Sequence, residues 1–133
     1  MKQVLIDTDI ISYFLRNQRN VVNRFKKYLD EFKRINFSII TYYEIISGLK
    51  YKDAQKQLNA FLEFADYNSI MPVTKDSIEI SANIYADLRK KGNLIDEIDI
   101  LIAGIALSNN LVLITHNTSH FKRIDGLQTE DWF

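Results

Sequence analysis

Short apolar runs alternate with long stretches of helical periodicity, and that alternation narrows the fold of this chain more than any other feature. Val4-Leu5-Ile6, Phe37 to Ile40, Ser69 to Val73 and Leu111 to Ile114 each read as a strand, and a last short one lies near Leu127-Gln128-Thr129. Between them, apolar residues recur at intervals of three and four, the spacing of one helix face. The helices fall at residues 9–16, at 19–33 through Val21, Phe25, Leu29 and Phe32, and from Thr41 to Lys50. Ala54, Leu58, Phe61, Leu62 and Ala65 mark the next. Ile78, Ala82, Tyr85 and Leu88 mark a helix that stops at Gly92, a natural cap. Asp96 to Asn109 is nearly apolar past its first turn, so that helix is expected to be covered on most sides. Pro72 sets the third strand at or near its end. Strands alternating with helices imply a mainly parallel sheet with helices on both faces. The expectation is an α/β fold, a three-layer α/β/α sandwich of about five strands.

Composition bounds the rest. The 133 residues hold one proline, four glycines and no linker or repeat, which predicts a single domain over residues 1–133. Seventeen basic residues balance seventeen acidic ones, so no bulk field draws the protein to nucleic acid, and any such contact must come from local patches. There is no cysteine, which excludes disulfides, thiolate nucleophiles and cysteine-ligated zinc. Asp7 and Asp9 interrupt the N-terminal apolar stretch, so no signal peptide is expected, and Ile100 to Leu107 is too short to span a bilayer. The expectation is a soluble, cytoplasmic protein with no membrane partner.

Polar groups follow the strands. Val4-Leu5-Ile6 runs into Asp7-Thr8-Asp9, the second strand into Thr41 and Glu44, and the fourth into Thr115-His116-Asn117; Asp96-Glu97-Ile98-Asp99 opens the apolar helix. In a parallel sheet the strand C-termini share one edge, where ligands bind. Asp7, Glu44, Asp99 and Asn117 can therefore meet there as an oxygen-rich cation site. Singly, each acid has a plainer use. Asp7 or Asp9 suits a helix N-cap. Thr41-Tyr42-Tyr43-Glu44 fits a capping box, and Asp96 and Asp99 have cap and N3 spacing. Together, three carboxylates in first turns on one edge repel each other without a counter-ion. Hard oxygen donors favour Mg²⁺ or Mn²⁺, and such an ion supports water attack on a phosphodiester. His116 and His120 have no evident triad partner and read as loop residues, with Phe121 reaching the core.

At these residues the chain resembles the PIN-domain family, and within it the VapC-type toxins of toxin–antitoxin pairs. The matching pieces are Val4-Leu5-Ile6-Asp7-Thr8-Asp9, Ser38-Ile39-Ile40-Thr41-Tyr42-Tyr43-Glu44 with Gly48, Asp99-Ile100-Leu101-Ile102-Ala103-Gly104, Leu113-Ile114-Thr115-His116-Asn117 and Glu130-Asp131-Trp132. The resemblance implies Asp7 and Asp99 as the main metal ligands. It implies that Glu44 binds directly or through water and helps orient the attacking water. Many relatives carry Asp where this chain has Asn117, a neutral corner that favours one firm metal over two. Asp9, Asp96 and Glu97 are candidates to support the ligands. The resemblance further implies a metal-dependent endoribonuclease acting on structured RNA, often tRNA, together with a homodimer and a cognate VapB-like antitoxin whose tail covers the acidic groove. Arg24, Lys26, Lys27, Lys33, Arg34, Lys50, Lys52, Arg89, Lys90 and Lys91 can line an RNA path or simply solvate helix faces. Tyr13, Phe14, Tyr42, Tyr43 and Tyr51 can serve partner contacts or the core.

Two other readings use the same residues. Val4 to Asp9 also looks like the first motif of haloacid-dehalogenase-type phosphatases, with Asp7 as nucleophile and Lys90 or Lys91 in support. A non-enzymatic, receiver-like dimerisation module needs an acceptor Asp after the central strand, and Met71-Pro72-Val73-Thr74 offers none.

Overall fold

The computed structural model describes residues 1–133. In chain order, β1 (Val4–Ile6) leads into α1 (Thr8–Leu15) and α2 (Arg19–Phe32), then β2 (Asn36–Ser38) into α3 (Ile39–Tyr51) and α4 (Gln55–Asp66). β3 (Ser69–Met71) leads into α5 (Lys75–Lys90) and α6 (Glu97–Ser108), β4 (Val112–Ile114) into the single turn α7 (Thr118–Phe121), and β5 (Thr129–Glu130) comes last. No helix is long and apolar enough to cross a membrane.

Every strand pairing is parallel: β1 with β4, β4 with β5, and β2 with β3. The ladders form two pieces, β1–β4–β5 and β2–β3, rather than the continuous sheet expected. Side chains bridge the seam. Asn36 Nδ2 donates to the Val4 carbonyl at 3.0 Å, and the Val4 N–H donates to the Tyr28 hydroxyl at 3.2 Å. The buried Val4 N–H and carbonyl that a neighbouring strand would satisfy are thus satisfied by a tyrosine from α2 and by Asn36.

Side-chain alternation then builds the layers. Val4, Ile6 and Ile114 face a core with Ile10, Ile11, Val21, Phe25, Tyr28 and Phe61 from α1, α2 and α4. Leu5 and Leu113 face the opposite core with Ile84, Leu88, Ile102, Ile105 and Phe121 from α5, α6 and α7. Neighbours along one strand serve different cores, which is the α/β/α arrangement. Ile100 and Ile102 to Ala106 are all buried, as the apolar helix required.

Three local expectations are corrected. The second strand ends at Ser38, not Ile40, because the Ser38 hydroxyl accepts from Thr41 N–H at 3.0 Å and starts α3 at Ile39. Thr41 is therefore not the cap, and Glu44 lies beyond the first turn. The Ile39-Ile40 pair imitated a strand. In α5 the buried face is Ser77, Ser81, Ile84 and Leu88, while Ile78 and Tyr85 are 43% and 38% exposed. Gly104 explains this: a Cβ there would lie 2.0 Å from Ser81 Oγ and 2.6 Å from the Ser77 carbonyl. The α5 and α6 backbones approach so closely that only small residues fit, and Ser81 Oγ is satisfied by donating to the Ile100 carbonyl at 3.0 Å. Gly92 does end α5, at φ +72°, with Asn93 N–H reaching back to the Leu88 carbonyl. The last strand forms at Thr129–Glu130, where Thr129 finds its register opposite Leu113. α7 was not expected.

Candidate active site

Because all strands run parallel, their C-termini share one edge, and the acids gather there. Asp7 leaves β1 and caps α1. The residue is only 6% exposed, with carboxylate Oδ1 accepting from Thr8 N–H at 2.8 Å and Oδ2 from the Thr115 hydroxyl at 2.8 Å. Burial, reinforced by the charge of Asp9 and more weakly by Asp99, pushes its pKa up to about 7 despite those two hydrogen bonds. Asp99 is raised too, by burial first and then by Asp96 and Glu44. Asp9 is likewise raised by burial, against hydrogen bonds from His116 N–H at 3.1 Å and Ile10 N–H at 2.7 Å.

Glu44 enters from α3. The Thr8 hydroxyl donates to its Oε1 at 2.6 Å and lies 2.9 Å from the Thr41 hydroxyl, which in turn meets Ser38. Asn117 follows β4; its N–H donates to Thr115 Oγ1 at 3.1 Å and its Nδ2 lies 2.9 Å from His120 Nδ1. That same His120 nitrogen is 3.9 Å from Asp99 Oδ2. Asp7, Glu44, Asp99 and Asn117 are thus joined through Thr8, Thr115 and His120. Sequence reasoning did not assign roles to the two threonines. Their signal was position, one residue past an acid and one past a strand.

Other candidates fall in different places. Asp96 caps α6 by accepting from Ile98 N–H at 2.9 Å, and Glu97 is exposed. His116 turns its ring to Asp131 at 2.8 Å and packs against Tyr13 and Phe133. Phe14 and Tyr42 pack on the core, while Tyr43 and Tyr51 are exposed. Arg24 pairs with Glu130, while Lys91, one of the two lysines a phosphatase would use, pairs with Asp87 and Asp125 instead of Asp7. Lys52 shares a groove with Glu44. With Arg16, which the sequence reading passed over, it lines a groove of about 290 Å³ between α1, α3 and α4 that also touches Thr8, Glu44 and Gly48.

The donors fit a hard divalent cation by their chemistry: three carboxylates and an amide oxygen. A carboxylate held near pKa 7 by burial and like charge is one whose ionised form a cation would stabilise. No three acid or imidazole side chains close tightly enough to hold an ion as they stand. They are electrostatic neighbours around Asp7 and Asp99 rather than a finished cage.

The PIN-domain family model matches residues 4–127. A Haemophilus influenzae protein named Ribonuclease VapC1 is 33% identical over 129 residues, covering 96% of each chain. A Shigella flexneri protein named tRNA(fMet)-specific endonuclease VapC is 30% identical over 134 residues, covering 99% of each. Among solved structures, the DNA-bound VapBC of Salmonella typhimurium superposes with a TM-score of 0.89 at 28% identity over 100% of both chains. VapBC-1 of nontypeable Haemophilus influenzae gives 0.85 at 29% identity over 97% of both. A phosphatase of the haloacid-dehalogenase type and a receiver-like module are both set aside by these matches. On its fold, its acidic edge and these relatives, the chain belongs to the PIN-domain family, in its VapC branch.

Proposed function

We propose that this protein is a Mg²⁺- or Mn²⁺-dependent endoribonuclease and the toxin of a toxin–antitoxin pair. The observation that carries the reading is the meeting of Asp7, Glu44, Asp99 and Asn117 at the strand C-termini, tied together by Thr8, Thr115 and His120. Asp7 and Asp99 are the carboxylates that hold the ion. A bound divalent ion neutralises charge at the scissile phosphate and activates water. Glu44, fixed through Oε1 by Thr8, turns its other oxygen to orient the attacking water. Asn117 completes the corner without adding charge, and Asp9 supports Asp7 from the His116 side. Arg16 and Lys52 draw the sugar–phosphate backbone along the groove beside Glu44.

The relative named for tRNA(fMet) supports a structured tRNA as the substrate class. The VapBC complexes among the structural neighbours support a cognate antitoxin, and the family resemblance supports a homodimer and an antitoxin tail that covers the acidic edge. The test is expression of the wild type beside Asp7→Asn and Asp99→Asn, with RNA ends profiled. Growth arrest with defined cuts is expected from the wild type alone. Cuts that persist in both folded variants refute the site.

A further inference from the structure

We propose that His120 is a positioning residue: its Nδ1 holds the amide nitrogen of Asn117 and so turns the Asn117 amide oxygen to the carboxylates, where a divalent cation can use it. The inference rests on the site reading above. Of the four corner residues, Asn117 alone has two chemically different side-chain termini, an oxygen that can ligate and an NH₂ that only donates. A free amide presents either one. If the nitrogen faced the acids it would hydrogen-bond them, and a cation would find no ligand at that corner.

The surroundings of Asn117 favour one orientation. Its Nδ2 lies 2.9 Å from His120 Nδ1, so Nδ1 accepts and the ring proton sits on Nε2. Asn117 stands at the N-cap of α7 yet makes no side-chain cap bond, which leaves its amide committed to His120. Both partners are anchored. The Asn117 N–H donates to Thr115 Oγ1 at 3.1 Å, and that hydroxyl donates to Asp7 Oδ2 at 2.8 Å. His120 precedes Phe121, which is fully buried against α5 and α6, so the ring is carried on a fixed turn. Its Nδ1 is 3.9 Å from Asp99 Oδ2, which places it between the amide and a proposed ligand. Groups that orient a metal ligand typically change metal affinity by roughly 10- to 100-fold when removed.

The test is Mn²⁺ binding by titration calorimetry on the full chain at about pH 8. The His120→Asn change puts an amide oxygen where Nδ1 stood, whereas His120→Gln places its amide at the Nε2 position. The Asn117→Asp change leaves two equivalent oxygens and nothing to orient. His120→Leu is expected to weaken Mn²⁺ roughly tenfold, His120→Asn to bind as the wild type does, and His120→Leu to lose its effect in an Asn117→Asp background. Unchanged binding in His120→Leu overturns the proposal. So does a His120→Asn as weak as His120→Leu, or a loss that persists undiminished in the Asn117→Asp background. If His120→Leu does not fold, His120→Gln takes its place, and equal binding by the Gln and Asn variants overturns the proposal. Asp7→Asn and Asp99→Asn separate the two levels. If either binds Mn²⁺ as the wild type does, the site reading fails and this inference with it. If both lose Mn²⁺ while every His120 variant binds normally, only the role of His120 fails.

Discussion

The two sides of the acidic centre are built differently. On one side Asp7 and Asp99 sit among packed elements: Asp7 is buried between α1 and β4, and Asp99 rides on α6, whose Gly104 lies hard against Ser77 and Ser81. On the other side Glu44, partly buried as Asp99 is, is held by one threonine hydroxyl and opens onto the groove with Arg16 and Lys52. Two acids whose ionisation is disfavoured by burial and like charge suit holding an ion, and a tethered acid beside cations suits meeting substrate and water. The contrast assigns different physical jobs to residues of the same type.

The largest effect falls on the tight side. With its pKa raised from 3.8 to about 7, Asp7 binds a proton more strongly folded than unfolded. The protonated group's stabilisation is fully present below about pH 4 and is lost as pH rises to about 7, amounting to roughly 4 kcal/mol at most. Asp7→Asn should therefore unfold at higher urea than the wild type at pH 8 and near the wild-type value at pH 4, while losing nuclease activity by more than about 100-fold. A pH-independent difference would remove the burial argument. By the same linkage, Mn²⁺ should raise the melting temperature of the wild type more at pH 8 than at pH 5, measured by differential scanning calorimetry.

Next comes the helix that carries Asp99. Gly104→Ala gains helix propensity, yet its methyl meets Ser77 backbone at 2.6 Å, and the clash should win with a net loss of about 1–3 kcal/mol. Activity should fall with it as α6 shifts. If urea melts show stabilisation, the two helices are less tightly packed than the geometry states.

The open side should respond less in stability. Ser38→Ala removes the cap of α3 and should cost about 1 kcal/mol. Glu44→Gln should change stability by less than about 0.5 kcal/mol, because Ser38 rather than Thr41 caps the helix, yet still lower cleavage by tenfold or more. A Glu44→Gln variant that melts like Ser38→Ala while cleaving normally would return Glu44 to a structural role.

How legible the molecule was depends on the range of the force involved. The α6 span from its Asp96 cap to Asn109, the Gly92 stop and the parallel order followed from local signals: cap chemistry, positive φ and apolar periodicity. The start of α3 and the buried face of α5 did not. Ile39-Ile40 is ambiguous at short range, and the inward turn of Ser77 and Ser81 is imposed by Gly104 on another helix. Among candidate site residues, Asp7, Glu44, Asp99 and Asn117 were nameable because each follows a strand or opens a helix. Thr8, Thr115 and Arg16 were not, since a threonine at a helix start or past a strand, or an arginine at a helix end, carries no periodic signature that marks its partner.

By itself, the sequence determined the layer order and which acids stand at the strand ends, because those follow from period, capping and connection length, while its ordered motifs carried the family resemblance. Tertiary structure alone decided that Asp7 is desolvated beside Asp9 and Thr115, that Val4 on the β2-facing edge of β1 is satisfied by Asn36 and Tyr28 instead of a strand, and that Asn117 faces His120. Each of these depends on which groups become neighbours after burial, a property of the packed chain that no single stretch of it contains.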